Sequence, residues 1–242
     1  LMQALRGTQD ILPKQVYKWN YIENMIRHLC ALYGYGEIRT PMFEDTRLFL
    51  RGIGDTTDVV TKEMYTFSDR GGRSITLRPE NTASVVRSFL EHKMYGDQQV
   101  QKVFYIGSMF RYDRPQAGRY REFHQFGVEI LGAKSPIADA ECIALAYDLF
   151  KRLGLNELKL YINSIGHSEC RNTYRRKLIE FFEPKTEHLC DDCKERLHKN
   201  PLRILDCKED CCKHASIGAP EITDYLCDDC HNKFEDVKKY LT

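Results

Sequence analysis

Two strand-like runs, 102–111 (KVFYIGSMFR) and 122–131 (EFHQFGVEIL), flank the polar stretch YDRPQAGRYR, and this pairing constrains the chain more than any other feature. Runs rich in aromatic and β-branched residues, joined by a loop with Pro and Gly, predict an antiparallel hairpin. Side chains alternate across a strand. Val103, Tyr105, Gly107, Met109 and Arg111 therefore share one face of the first strand. On the second, Phe123, Gln125, Gly127 and Glu129 share a face, and His124, Phe126, Val128 and Ile130 form the other, mostly apolar one. An amide, a carboxylate and a phenyl ring thus line one side, and the missing side chain at Gly127 opens room for a ligand against the sheet. A solvated sheet face gives the same alternation and is the commoner meaning of it. Arg111, Arg114, Arg119 and Arg121 crowd the loop and its roots. Guanidinium forks bind phosphate oxygens bidentately, although arginine-rich loops are more often plain surface.

Elsewhere the periodicity is mainly helical. Val16, Trp19, Ile22, Ile26, Leu29 and Tyr33 recur every three or four residues, which predicts a helix over 15–33 that stops at Gly34. Pro41 interrupts the strand-like EIRTPMFED. The segments EMYTFS (63–68) and SITLR (74–78) read as a hairpin around DRGGR. Pro79 is expected to open a helix reaching about Tyr95. Glu80 and Thr82 then lie in its first turn, where a carboxylate and a hydroxyl either bind a ligand ammonium or simply cap the helix. Further helices are expected over 136–153, 168–183 and 221–241, with a short strand at 158–162. The last helix would carry Ile222, Leu226, Cys230, Phe234, Val237 and Leu241 on one stripe. Arg171, Arg175, Arg176 and Lys177 could touch phosphates, but a solvated helix face is the usual meaning of such a run. The change in character near Pro184 puts a domain boundary at about 165–185.

Lys and Arg number 36 against 35 Asp and Glu, so the net charge of +1 excludes a generally basic nucleic-acid coat. Hydrophobic residues at 42% of the 242 supply a sizeable core. Apolar runs are too short to span a bilayer. LMQALRGTQDILP lacks the apolar region of a signal peptide, and Met2 reads as the natural start. Of ten cysteines, seven lie between Cys190 and Cys230. Without a leader, such clustering predicts metal binding or reduced thiols in the cytoplasm rather than a disulfide frame. Cys190/Cys193 and Cys227/Cys230 are two CxxC pairs, which together could hold one structural zinc tetrahedrally. Cys207, Cys211 and Cys212 compete as ligands, and Cys230 could equally be a core thiol.

LRGTQDILP, TLRPENTA and MFRYDRPQAGRYREFHQFGVEILG together resemble histidyl-tRNA synthetases, which are class II aminoacyl-tRNA synthetases. The long hairpin is similar to class II motif 2: Phe-Arg-x-acid, a variable loop, then Arg-x-x-x-Gln. GYGEIRTPMFEDTRLF resembles motif 1, with Pro41 as its proline. The resemblance implies an α+β fold, the class II catalytic fold with an antiparallel sheet flanked by helices. A catalytic core over 1–170 would be followed by a mostly helical, Cys-rich insertion over 171–242, which in the family lies near the tRNA acceptor stem. It implies a cytoplasmic homodimer built through motif 1, acting on histidine, ATP with Mg2+, and tRNA(His).

The resemblance also assigns roles. Arg111 would contact the α-phosphate and stabilise charge during attack by the histidine carboxylate. Phe123 would stack on adenine and Arg121 would reach the outer phosphates. Glu80, Thr82, Arg111, Gln125 and Glu129 would hold histidine, with Glu129 on the imidazole. Arg114 and Gln116 would face the tRNA acceptor end. Asp113 stands where many class II enzymes have Glu, which shortens its reach toward ATP. The family's second histidine-recognition stretch, its motif 3 and its anticodon-binding domain are not read in these 242 residues. The expectation is therefore that this stretch alone does not charge tRNA at a useful rate. Two other readings remain: a non-catalytic, synthetase-like regulatory subunit of histidine biosynthesis, and a zinc-stabilised RNA-binding module resting on the cysteines alone.

Overall fold

Pro13 fixes the start of the first helix, since a proline there lacks only an N–H that would have no helical partner. The computed structural model describes residues 2–53, 63–96 and 99–242. Helix α1 spans Pro13–Leu32 and ends at Gly34, whose φ of +77° suits glycine. Strand β1 (Gly36–Glu37) and β2 (Phe43–Asp45) stand on either side of Pro41. Helix α2 is Thr46–Ile53. The short hairpin forms as expected, β3 (Thr66–Ser68) antiparallel to β4 (Ser74–Leu77), with β2 on the other edge of β4.

The long hairpin is β5 (Gln101–Phe110) and β6 (Glu122–Leu131). Its register pairs Val103 with Glu129, Tyr105 with Gly127, Gly107 with Gln125, and Met109 with Phe123. Strand β1 adds to β5 in parallel, so this sheet is not purely antiparallel.

The apolar face of β5–β6 packs on α1 and on α4 (Pro136–Arg152). Leu29, Phe104 and Leu145 are buried there, each contributing about 1.5–3 kcal/mol by leaving water. The opposite face is only partly covered. Val85, from α3 (Thr82–Glu91), is fully buried against Val103, Tyr105 and Met109, while Phe123 packs at the margin. The uncovered part of that face is where a site can lie.

The chain divides into two compact units, Leu1–Lys134 with Glu141–Asn156, and Ser135–Ala140 with Glu157–Thr242. The chain thus passes into the second unit at Glu157, ahead of the 165–185 boundary read from composition. The second unit contains α5 (Ser168–Phe182), α6 (Asp191–Lys199), α7 (Leu202–Leu205), α8 (Asp210–Ala215) and α9 (Asp228–Leu241). Its core gathers Tyr174, Leu178 and Phe182 from α5 with Leu189, Leu197, Ile204 and Ile222.

Three expected elements differ. Helix α3 starts at Thr82, not Pro79, because the Glu80 carboxylate accepts the Thr82 and Ala83 N–H groups and stands in as the cap. Residues 158–162 form no strand: among the described residues no neighbouring strand pairs with them, and Tyr161 is 86% exposed. The helix expected over 221–241 is broken. A 3-10 turn, Ile222–Tyr225, precedes extended Leu226 and Cys227, and α9 begins only at Asp228.

Candidate functional site

The partly covered face of β5–β6 brings together most of the residues that the sequence singled out. Phe123, Gln125 and Glu129 follow one another along β6 by alternation, and Arg111 leaves the end of β5 on the same side. The Arg111 Nε donates to the Pro79 carbonyl at 2.8 Å, and its guanidinium lies 5.3 Å over the Phe123 ring. No carboxylate pairs with it among the described residues. The buried Oε1 of Gln125 has no hydrogen-bond partner among them. The half-buried Glu129 accepts a hydrogen bond from the Thr82 hydroxyl at 2.7 Å. Burial raises the Glu129 pKa, and the Glu80 carboxylate adds to the rise, against the pull of that hydroxyl. Glu80 caps the helix, with its two carboxylate oxygens accepting the Thr82 and Ala83 N–H groups.

Glycine does not leave the open notch that the sequence suggested. A Cβ on Gly127 would stand 2.3 Å from the Tyr105 hydroxyl and ring, so the cross-strand tyrosine already fills that space. Burial pushes the Tyr105 phenol up to about 12, where it stays protonated. Likewise Gly107 is covered by Arg78, whose Nη2 lies 2.4 Å from the position of a Cβ. Gly127→Ala is therefore expected to cost about 1–3 kcal/mol by overpacking. Combining it with Tyr105→Ala should cost less than the sum of the single changes in denaturant titrations. Additive losses would show that the two side chains do not compete for one space.

Arg78 and Tyr105 are the residues that sequence reasoning missed. The signal for Tyr105 was its place opposite a glycine. For Arg78 it was a lone cation ending the strand-like SITLR. A hollow of about 910 Å³ shares Glu80 and Thr82 with the site and runs along α3 past Val86 and Leu90. Its lining mixes the apolar Leu48, Val86 and Leu90 with the charged Arg51, Arg87 and Glu91.

The histidyl-tRNA synthetase family profile matches residues 7–170. This chain belongs to the histidyl-tRNA synthetase family. It is 58% identical over 241 residues to the histidine–tRNA ligase of Caldanaerobacter subterraneus, covering 100% of this chain and 58% of that protein. To the ligase of Anoxybacillus flavithermus it is 61% identical over 240 residues, covering 99% and 57%. The crystal structure of apo Staphylococcus aureus histidyl-tRNA synthetase superposes with a TM-score of 0.77 at 46% identity, over 100% of this chain and 54% of that one. An ATP phosphoribosyltransferase regulatory subunit/histidyl-tRNA synthetase from Bacillus halodurans, 22% identical with a TM-score of 0.67, shares the fold alone. The chain spans less than two thirds of the length of these relatives.

Within this synthetase-family hairpin the loop is held by its own charges. Asp113 pairs with Arg119 at 2.9 Å and accepts the Arg114 N–H at 2.7 Å. Gln116 and Arg119 form an isolated bridge that closes the turn. Arg114 and Gln116 are exposed. Arg121 stacks 4.0 Å over Tyr112 rather than standing free, and Gly7 accepts the Arg121 N–H at 2.6 Å. A side chain on Gly7 would strike Arg121 Cγ at 2.8 Å, which ties the LRGTQD segment to the hairpin.

The clustered cysteines lie beyond the span matched by the family profile. Cys190/Cys193 and Cys227/Cys230 do not form one four-thiol group. Cys190 and Cys193 gather with Cys207 and Cys212, whereas Cys227 and Cys230 gather with His167 and Cys170. The sequence showed two similar CxxC turns, but each turn has its own second pair brought to it by the fold. Among the described residues, no helix is long and apolar enough to cross a membrane.

Proposed function

We propose that this face binds histidine and ATP in a histidine–tRNA ligase. The histidine carboxylate would attack the α-phosphorus of ATP. The bond from that phosphorus to the β-phosphate oxygen would break, releasing pyrophosphate and leaving histidyl-adenylate. A ribose hydroxyl of tRNA(His) would then attack the carbonyl carbon and AMP would leave.

The observation that carries the reading is a row of polar groups whose bonding capacity the described residues leave partly unfilled. Arg111 lacks an acid partner among the described residues, Gln125 Oε1 is buried and unpartnered, and Glu129 carries a carboxylate that burial disfavours. Phosphate meets the first of these, and an amino acid with an ammonium and an imidazole N–H meets the others. Phe123 would offer its ring to adenine and Arg121 would turn from Tyr112 toward the outer phosphates. Glu80 and Thr82 would border the histidine ammonium. Asp113 would approach ATP only by leaving Arg119. ATP would enter with Mg2+ on its phosphates, and Arg114 and Gln116 would meet the tRNA acceptor end. A cytoplasmic homodimer built through the segment around Pro41 completes the proposal. The retained Arg111, Gln125 and Glu129 speak against a purely regulatory subunit.

Histidine-dependent exchange of pyrophosphate into ATP by the full-length protein tests this directly. Exchange absent with histidine, or equal with other amino acids, would overturn it.

Glu129→Gln separates binding from folding. Because the folded chain raises the Glu129 pKa, it holds that proton more tightly than the unfolded chain. Burying Glu129 therefore costs stability as pH rises from the ordinary carboxylate range through the raised value. Glutamine removes that cost, so Tm at neutral pH should stay level or rise. The KM for histidine should increase about tenfold or more, as for loss of a charged hydrogen bond, with the KM for ATP unchanged. A fall in Tm with both KM values rising together would make Glu129 structural.

A further inference from the structure

We propose that residues 157–242 hold two zinc ions, one at Cys190, Cys193, Cys207 and Cys212, the other at His167, Cys170, Cys227 and Cys230. In each group the four ligand atoms lie within 4.8 Å of one another, close enough to surround a single ion. Zinc bonds of about 2.3 Å to sulfur and about 2.0–2.1 Å to nitrogen, arranged tetrahedrally, put two thiolates about 3.8 Å apart and a thiolate about 3.6 Å from an imidazole nitrogen. The Cys190 and Cys207 sulfurs are 3.9 Å apart, and Cys230 Sγ is 3.6 Å from His167 Nδ1. A disulfide would need sulfurs about 2.0 Å apart. His167 Nδ1 lies closer to Cys170 Sγ, at 2.9 Å, so an entering ion must part that pair.

The two groups are built alike although they share no residue. Each CxxC turn starts a helix: Cys190 caps α6 and Cys227 caps α9. In each, the backbone N–H of the first cysteine donates to a sulfur of the partner pair at 3.3 Å, Cys190 to Cys212 and Cys227 to Cys170. Such N–H donors and the helix N-termini favour thiolate charge. His167 turns Nδ1 to the sulfurs and Nε2 to Glu169 at 3.4 Å, the carboxylate contact that orients a metal-bound imidazole. Sets of three and four thiolates select zinc over magnesium or calcium.

The surrounding structure calls for such ties. Helices α6, α7 and α8 have nine, four and six residues, each too short to persist by itself. The first group joins the start of α6 to the link between α7 and α8 through Cys207, and to α8 itself through Cys212. The second joins the start of α5 to the start of α9. Cys211 is exposed and belongs to neither group, which makes it an internal control.

Elemental analysis of full-length protein purified without chelator should find two zinc ions per chain. Cys207→Ser and Cys170→Ser should each leave one, the double variant none, and Cys211→Ser two. With cobalt in place of zinc, sulfur-to-metal charge-transfer absorbance should stand near 4:3 between the site left in Cys170→Ser and the site left in Cys207→Ser. A single zinc insensitive to both substitutions would overturn the proposal in favour of one Cys190–Cys193–Cys227–Cys230 site. No metal, with all seven clustered thiols titratable, or iron in place of zinc, would overturn it as well. The wild-type stoichiometry decides between these outcomes even where a variant fails to fold. None of them depends on whether the protein activates histidine.

Discussion

Arg111→Ala is expected to slow histidine-dependent pyrophosphate exchange by about a hundredfold or more, the usual effect of removing a donor aimed at developing negative charge. The expected loss of stability is far smaller. Among the described residues, Arg111 makes one side-chain bond to the Pro79 carbonyl and one contact with the Phe123 ring. Each contributes about 1 kcal/mol at a partly exposed site. Those same two contacts aim the rest of the guanidinium, because the carbonyl fixes Nε and the ring fixes the plane. Lysine keeps the charge but not the fork, so Arg111→Lys should restore only part of the rate. Near-normal exchange by the alanine variant would remove Arg111 from the chemistry.

The ease of locating Arg111 follows from where it sits. Alternation over ten residues of β5 and ten of β6 is unambiguous, and a one-residue slip would have put Phe126, Val128 and Ile130 in solvent. Face membership was therefore legible, and Arg111, Phe123, Gln125 and Glu129 came with it. What fills a face was not. A glycine announces the lack of its own side chain, and only the register shows that Tyr105 leans across Gly127. Helix ends were illegible where local bonding or backbone intervened: the Glu80 carboxylate shifted the start of α3, and extended backbone at Leu226 and Cys227 divided what a stripe of apolar residues presented as one helix. The cysteines show the same limit. CxxC spacing identifies a turn that can offer two ligands, but the fold decides which other pair meets it. Residues 158–162 failed for the opposite reason, since a strand exists only through a neighbour and apolar alternation cannot supply one.

Arg78 lies furthest from anything the sequence revealed, and its replacement should have the largest effect on stability. Its side chain is buried at 6% exposure, and among the described residues no carboxylate hydrogen-bonds it. Burial lowers its pKa, yet arginine stays charged in proteins, so neutral acceptors must carry the cation. Nε donates to the Ser108 carbonyl at 2.9 Å, and Nη1 reaches the Thr40 carbonyl at 3.1 Å and Asn81 Oδ1 at 3.2 Å. One guanidinium thus ties the residue before Pro41, strand β5 and the N-cap of α3, the three segments that border the site. Arg78→Ala would open a cavity over Gly107 and strand the Ser108 and Thr40 carbonyls. Cavity and orphaned acceptors together should cost about 3 kcal/mol or more. Arg78→Met fills most of the volume but donates nothing, so it should recover only the cavity part. The start of α3 should loosen in both variants, with faster amide exchange at Thr82 and Ala83, whose N–H groups bond Glu80. If denaturant titration puts Arg78→Ala within about 1 kcal/mol of wild type, below what two stranded carbonyls would cost, the guanidinium is not what joins these segments.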